Sequence, residues 1–297
     1  MPSRRDMLRL LAAGVAASSI ASLRTPAITA EIKTALKGTI GLQLWSLRKS
    51  LPGDLAGTLA KIKAMGFDVV EGAGLWKHTV ADLRAALDTA GLKCQSAHIP
   101  FERLDKDRAG AFAEAKAMGA SWVVCPWIPH QGDAFTHDDT MKAVELFNAV
   151  GKAAADADLH FAYHCHGYEF FPAGKITLFD ELVANTDPKT VSLQIDVFHA
   201  LLGGAEPASL IVRYRDRVSS LHLKDLKKGF PIKTGTAIAP AVSDVPLGTG
   251  QVKMAEVLRE AMKAGVTQFY IEDESDDPLG HIPHSVKYLQ DFNLSEL

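Results

Sequence analysis

Eight short apolar runs alternate along this chain with amphipathic stretches, and this alternation limits the possible folds more than any other feature. Short apolar runs separated by helical periodicity are typical of strand–helix units that pair their strands in parallel. The predicted strands are Ile40–Leu47, Phe67–Gly72, Lys93–Ile99, Trp122–Trp127, His160–His166, Val191–Phe198, Val218–Lys224 and Gln268–Glu274. Eight such units in a chain of 297 residues favour a single closed (β/α)8 barrel, an α/β fold.

The segments between the strands support the same fold. Amphipathic periodicity predicts helices that include Leu55–Met65, Val80–Ala90, Arg108–Met118 and Met141–Asp156. A doubly wound open sheet is the main alternative, but no predicted strand leads into the Gly-x-Gly-x-x-Gly turn of dinucleotide sites. The longest irregular segment, Leu226–Gly250, is rich in Pro, Gly and Thr, and we expect it to form a lid or a substrate loop.

The first thirty residues have the order of an export signal rather than of a folded element. Arg4 and Arg5 form a twin-arginine pattern, and a mild apolar run, Leu10–Leu23, follows them. A small-residue stretch, Thr25–Ala30, then offers a cleavage site. An amphipathic N-terminal helix or a transit peptide is the alternative. We predict a twin-arginine signal peptide over residues 1–30, a barrel domain over residues 31–297, and a periplasmic protein.

Charge excludes one class of partner. Residues 1–30 carry four Arg and one Asp, so their removal moves the formal net charge from −3 to −6. Nucleic-acid binding requires a basic face that neutralises phosphates, so we expect no nucleic-acid partner. No other segment is apolar enough to cross a bilayer, so we expect no membrane contact in the mature form. The expected partner is a small molecule, and assembly into a homo-oligomer is left open.

Polar side chains occur where buried barrel strands should be apolar. They fall late in the second, third and fifth to eighth predicted strands: Glu71, His98, His164, His166, Gln194, Asp196, His222, Lys224, Asp225, Glu272, Asp273 and Glu274. A barrel gathers the carboxyl ends of its strands into one mouth, where catalytic residues lie. Singly, each residue has a structural explanation, but so many ionisable groups at one mouth are costly to desolvate without a ligand. Their mixed N/O chemistry suits one divalent ion, for which manganese, zinc, cobalt and iron all fit.

An ordered series of motifs resembles the sugar phosphate isomerase/epimerase family, the xylose-isomerase-like barrels, over about residues 37–292. The motifs are Ile40-Gly41-Leu42-Gln43-Leu44-Trp45-Ser46-Leu47-Arg48, Gly66-Phe67-Asp68-Val69-Val70-Glu71, Tyr163-His164-Cys165-His166-Gly167-Tyr168-Glu169-Phe170, Ile195-Asp196-Val197-Phe198, Leu221-His222-Leu223-Lys224-Asp225, Pro246-Leu247-Gly248-Thr249-Gly250 and Tyr270-Ile271-Glu272-Asp273. The resemblance implies one metal ion held by Glu, Asp, His and Glu from the last four strands. Those positions are occupied here by His164, Asp196, His222 and Glu272.

His164 stands where the resemblance implies a Glu, which puts a symmetrical two-carboxylate epimerase mechanism in doubt. Relatives with dehydratase activity place a catalytic His two residues further on, and that position here is His166. Along the predicted strand His166 lies about 6.6 Å beyond His164, so one ion would need a strongly bent loop to bind both. We therefore predict His164 as ligand and His166 as base, and the reverse assignment stays open.

The predicted function is a metal-dependent isomerase or epimerase that removes a proton next to the carbonyl of a keto-sugar or polyol. His166, Lys224 and Glu272 are the predicted catalytic residues, and Trp45, Glu71 and His98 are predicted to contact the substrate. One alternative is a lyase or dehydratase that eliminates from a 3-keto-glycoside or an inosose. A second is a non-catalytic sugar-binding barrel. An abasic-site endonuclease is disfavoured by the acidic charge.

Overall fold

The structure, a computed structural model, describes residues 32–131 and 135–293, so the predicted signal peptide lies outside the described residues. Eight parallel strands close into a barrel in chain order, with the last strand paired to the first. Numbered β1 to β8, they are Thr39–Gln43, Val69–Gly72, Lys93–His98, Trp122–Cys125, His160–His164, Ser192–Asp196, Val218–Leu223 and Gln268–Ile271. The predicted (β/α)8 barrel is confirmed, and the doubly wound open sheet is excluded.

Helices connect the strands. Numbered α1 to α10, they are Leu55–Ala64, Val80–Ala90, Phe101–Lys106, Arg108–Met118, His137–Asp156, Leu178–Asn185, Val197–Leu202, Pro207–Arg213, Met254–Lys263 and Pro278–Asp291. Helix α2 ends at Gly91, whose φ of +69° is the left-handed conformation that glycine adopts without steric cost. In the described part of the chain, none of the helices has the length and apolar character that a membrane span requires.

Helix α5 is one turn longer than the periodicity predicted, because it begins at His137 rather than Met141. The Thr136 side chain accepts from the Asp139 backbone N–H, and the Asp139 carboxylate accepts from the Thr136 backbone N–H. This reciprocal pair satisfies two of the free amides at the start of a helix. The polar first turn is thus fixed by its cap rather than by an apolar stripe.

Several strands end earlier than predicted, because polar residues at their carboxyl ends turn the chain. Strand β5 ends at His164 rather than His166, and β6 ends at Asp196 rather than Phe198. The Asp196 carboxylate accepts from the His199 backbone N–H at 2.8 Å and caps α7, which begins one residue later. Side-chain alternation therefore stops at His164, and the separation predicted for an extended His164–His166 segment does not apply.

The irregular segment Leu226–Gly250 is anchored at both ends. Asp225–Leu226 pairs antiparallel with Asp244–Val245, and the Asp225 carboxylate accepts backbone N–H groups from Gly248, Gly250 and Val252 at 2.9, 2.9 and 3.0 Å. Between these anchors, residues 227–243 extend over the carboxyl end of the barrel, beside α7. Its role as a lid or substrate loop stays a prediction.

Candidate active site

Five buried polar side chains meet inside the carboxyl end of the barrel, and we call them the floor: Gln43, Glu71, Ser96, Gln194 and His222. Glu71 is at the centre of the floor, and the four other side chains all donate to its carboxylate. Gln43 Nε2 and His222 Nε2 reach Oε2 at 2.8 and 2.5 Å, and Ser96 Oγ and Gln194 Nε2 reach Oε1 at 2.5 and 2.9 Å. Burial would raise the pKa of Glu71, but His98 and His222 hold it well below its ordinary value.

His222 joins the floor to the carboxylates above it. Its Nε2 contacts Glu71, and its Nδ1 lies 2.9 Å from Glu272 Oε2 and 3.8 Å from Asp196 Oδ2. Burial would lower the pKa of His222, but the carboxylates of Glu71 and Glu272 raise it to about 10. A histidine held by a buried carboxylate on one nitrogen presents the other nitrogen to a ligand in a fixed orientation.

The donor atoms around His222 suit a divalent cation. Ligand atoms of Asp196, His222 and Glu272 lie within 4.8 Å of one another, as do those of His98, His164 and His222. Asp196 Oδ2 is buried and, among the described residues, has no hydrogen-bond partner. Burial raises the pKa of Asp196 to about 6, although Lys224 and His222 oppose the shift. A buried carboxylate oxygen without a donor is what a cation would satisfy.

His164 reaches this cluster from β5. Gln194 Oε1 accepts from His164 Nδ1 and from His98 Nε2, both at 2.9 Å. Burial and the neighbouring imidazoles hold the pKa of His164 well below its ordinary value, so the ring is neutral. The predicted ligand set of His164, Asp196, His222 and Glu272 therefore spans two overlapping groups that share His222.

Lys224 is buried beside the two carboxylates of the last strand end. Its Nζ donates to Glu274 Oε2 at 2.5 Å and lies 3.6 Å from Glu272 Oε2 and 3.4 Å from His199 Nε2. Burial would raise the pKa values of Glu272 and Glu274, but Lys224 lowers each to about 2. Both carboxylates are thus ionised, and Lys224 fixes their positions.

A cavity of about 380 Å³ opens above this cluster. Its lining includes the predicted residues Trp45, His98, His164, His166 and Glu272, together with Trp127, His199 and Glu274. Four predicted residues lie outside the lining, beneath or beside it: Glu71, Asp196, His222 and Lys224. Glu71 is fully buried with its carboxylate occupied by the floor, so this placement gives no support to its predicted contact with substrate. The volume is that of an ordinary small-molecule site.

Part of the lining is left open to a ligand, and we call it the wall: Trp45, Trp127, His166, His199 and Glu274. Among the described residues, His166 Nδ1 and His199 Nδ1 have no hydrogen-bond partner. His199 was not predicted from the sequence. The available signal was its position three residues after Asp196, where the carboxylate that ends β6 caps α7 and fixes the orientation of its first turn.

His164 and His166 are adjacent in space, because the chain turns after His164. Their ring centroids lie 4.8 Å apart, and His166 also packs edge-on against Trp127 at 4.9 Å. The His166 backbone N–H donates to Glu169 Oε1 at 2.8 Å, and Tyr163 OH donates to the same oxygen at 2.6 Å. Buried Glu169 thus holds the turn that brings His166 into the cavity.

Comparison with known proteins settles the family. Residues 59–292 match the family model described as the xylose isomerase-like TIM barrel. The chain belongs to this family. This match confirms the resemblance that the motifs indicated. The matched range contains seven of the eight barrel strands and every predicted metal ligand.

Individual relatives of this family member include enzymes of two kinds. The chain is 24% identical over 258 residues to inosose dehydratase of Geobacillus kaustophilus, covering 76% of this chain and 82% of that protein. It superimposes on a sugar phosphate isomerase/epimerase of Parabacteroides distasonis with a TM-score of 0.69 and 25% identity, covering 89% and 98% of the two chains. It also superimposes on the IOLI protein, solved with a bound zinc atom, with a TM-score of 0.65 and 17% identity over 87% and 98%. These similarities support an enzyme of the sugar isomerase/epimerase or dehydratase type.

Proposed function

We propose that this protein is a divalent-metal-dependent enzyme that removes a proton next to the keto group of a sugar or polyol and then eliminates the neighbouring oxygen substituent. The proposal takes the reaction of the dehydratase relative as the better guide to the outcome. Isomerisation or epimerisation after the same proton abstraction is the competing outcome, as the isomerase/epimerase relative suggests.

One observation carries the choice of elimination. Both carboxylates that line the cavity, Glu272 and Glu274, follow β8, whereas the β5 side presents His164 and His166. An epimerase with two carboxylates needs one on each face of the sugar, to remove a proton from one side and return it to the other. This cavity places its carboxylates together and faces them with imidazoles, which favours a one-sided transfer.

In the proposed reaction His166 accepts the proton from the carbon next to the keto group. The carbon–hydrogen electron pair becomes a carbon–carbon double bond as the neighbouring carbon–oxygen bond breaks. His166 then gives its proton to the departing oxygen, so the products are an enone and water or an alcohol. Burial, His199 and Lys224 hold the pKa of His166 well below its ordinary value, so the ring is neutral and can accept a proton. Lys224 positions Glu272 and Glu274 around the ring without itself lining the cavity.

Asp196, His222 and Glu272 would hold the metal, with His164 as the fourth ligand. A divalent ion supplies stabilisation of negative charge on the keto oxygen as the proton leaves. Asp196→Ala should therefore lose the metal and the activity but remain folded, because the barrel core lies away from the mouth. Elemental analysis and thermal unfolding of the purified variant would test this. Full metal occupancy in Asp196→Ala would show that Asp196 is not a metal ligand. Asp196→Asn keeps an oxygen that can cap α7 and serves as the matched control.

The test of the function is a product analysis on keto-sugars and keto-glycosides with metal-loaded and metal-stripped protein in deuterium oxide. We expect an enone, read by ultraviolet absorbance, and a released alcohol or water only with the metal-loaded protein. Deuterium incorporation without loss of a substituent would establish isomerisation or epimerisation instead. Binding without any turnover would establish a sugar-binding barrel.

We also propose that residues 1–30 export the protein to the periplasm by the twin-arginine route, supported by Arg4, Arg5 and the apolar run that follows. Replacing Arg4 and Arg5 with Lys should leave the precursor in the cytoplasm. Fractionation of cells that express either form would test this, and unchanged export of the double variant would overturn it.

A further inference from the structure

A second compartment of about 210 Å³ adjoins the main cavity. The two spaces share Trp127, His166, His199 and Glu274 in their linings, so they meet at the wall. The second compartment lies under Ala237–Ala241, toward the Asp244 end of the segment anchored at Asp225 and Asp244. A ligand that reacts beside His166 and is larger than one ring would extend into this space.

We propose that the second compartment is the subsite for the departing group, and that the substrates are keto-glycosides rather than free keto-sugars. The inference rests on the proposed elimination, because a group that leaves must be held on the far side of the bond that breaks. His166 and His199 line both spaces. The oxygen that joins sugar and substituent therefore lies beside the imidazole that protonates it.

The lining of the compartment indicates the chemistry of the departing group. The apolar surface comes from Phe198, Trp127 and the apolar segment Ala237–Ala241. Asp244 is 4% exposed, and although its Oδ2 accepts from the Glu274 backbone N–H at 2.8 Å, its Oδ1 has no partner among the described residues. A neutral cyclic group with an apolar face and a hydroxyl donor fits this mixture.

Charge argues against an anionic substituent. The Glu274 carboxylate, which accepts from Lys224, lines the compartment, and Arg48 is the one cation among its lining residues in the described part of the chain. Phosphate recognition uses several cations or a row of backbone N–H groups, and a carboxylate beside a phosphate would repel it. The departing group is therefore a neutral alcohol or phenol, either a second sugar ring or an aryl group.

The step balances without an added reagent. The keto group is already present in the substrate, so no oxidant is needed. His166 takes the proton from carbon, the electron pair forms the double bond, the glycosidic carbon–oxygen bond breaks, and the departing oxygen takes the proton from His166. The products are a cyclic enone and a free alcohol or phenol.

The test uses a substitution that fills the second compartment and leaves the main cavity intact. Ala239→Phe places a ring in the second compartment, and Ile232→Phe makes the same addition at a 47% exposed position of the same segment outside it. Turnover would be measured on a keto-disaccharide, on an aryl keto-glycoside and on the same keto-sugar without a substituent. In Ala239→Phe the ratio of kcat/KM for each glycoside to that for the free keto-sugar should fall about tenfold or more, the scale of a lost pocket contact. In Ile232→Phe the ratio should not change.

Each result separates this inference from the proposed function. An unchanged ratio in Ala239→Phe, with the wild-type protein active, would overturn the subsite and leave the elimination standing. A fall for only one of the two glycosides would identify whether a sugar ring or an aryl group is the natural occupant. If the wild-type protein forms no enone, the proposed function fails, and binding of unreactive glycosides, read by tryptophan fluorescence through Trp127, still decides the subsite. Equal affinity of wild type and Ala239→Phe for those glycosides would then reject it.

Discussion

The floor and the wall of the barrel mouth both carry polar side chains, yet the floor is buried and the wall is partly exposed, and their hydrogen bonding differs. On the floor, each oxygen of Glu71 accepts from two donors, and Gln194 makes contacts through both its oxygen and its nitrogen. On the wall, His166 and His199 each keep a nitrogen without a partner among the described residues. Unsatisfied buried atoms cost free energy, so their concentration on one side of the cavity marks the surface that a ligand completes.

This difference in hydrogen bonding indicates that the floor serves stability and that the wall serves chemistry. Residues whose polar atoms are all satisfied hold the barrel end rigid and orient His222. Residues with open atoms contribute little to folding and are available to substrate. Substitutions in the floor should therefore act on the free energy of unfolding, and substitutions in the wall should act on turnover.

The largest expected effect on stability belongs to the floor. Glu71→Ala would remove one of the two carboxylates that buried His222 contacts, and it would leave two other buried donors of the floor without an acceptor. Breaking a buried ion pair on one side costs about 3–5 kcal/mol, and urea unfolding would measure it. Asp88→Ala, which breaks the exposed pair with Arg84, is the control and should change stability far less. A loss in Glu71→Ala no larger than the control would show that the floor is not structural.

Behind the wall, Glu169 makes stability depend on pH. Burial raises its pKa from an ordinary 4.5 to about 7, although donors from Tyr163 and the His166 backbone oppose the shift. The folded protein thus keeps a proton that the unfolded chain releases. The stabilising contribution is present at low pH and is lost as pH rises through about 7. The loss for this one group should be on the order of 3 kcal/mol between about pH 4.5 and pH 7.

The comparison variant is Glu169→Gln, which keeps an acceptor for both donors but does not ionise. The difference in unfolding free energy between wild type and variant should grow with pH, in favour of the variant. The other titrating groups near Glu169 are common to both proteins: Tyr163, Cys165, Tyr168 and Asp196. A difference that stays constant from pH 4.5 to pH 8 would show that Glu169 is ionised throughout this range.

The smallest effect is expected at the outer edge of the wall. Trp45 is 41% exposed, its Nε1 donates to Glu274 Oε1 at 2.8 Å, and its ring packs on Trp76 at 5.6 Å. Trp45→Phe keeps a ring and loses one hydrogen bond worth about 0.5–1.5 kcal/mol. KM should rise about threefold with kcat unchanged, and the free energy of unfolding should fall by no more than this one bond is worth. A large fall in kcat would instead place the Trp45–Glu274 contact in the chemical step.

The sequence predicted the barrel and the strands that carry the site, because both follow from the periodicity of the apolar residues and from the spacing of the apolar runs along the chain. His164, Asp196, His222 and Glu272 were found as polar interruptions of apolar strands. The prediction that the fifth strand continues to His166 is wrong, because the strand ends at His164 and the Glu169 carboxylate holds the turn that follows.

Other residues of the site carried no signal of that kind. His199 follows the strand by one helical turn and looks like any first-turn residue. Glu169 looks exposed in a Tyr-Glu-Phe stretch, yet it is fully buried and holds His166. The second compartment depends on how residues 227–243 fold back over α7, which the irregular composition of the segment does not specify.

The most direct test of the central claim is to measure metal content and turnover together in His164→Ala and His166→Ala. We expect His166→Ala to retain its metal and to lose about 10²- to 10⁴-fold in kcat, the usual contribution of a positioned base. His164→Ala should lose metal first, and its turnover should fall with occupancy. Metal loss confined to His166→Ala would make His166 the ligand and His164 the base. Near-normal turnover of metal-loaded His166→Ala would show that His166 is not the base.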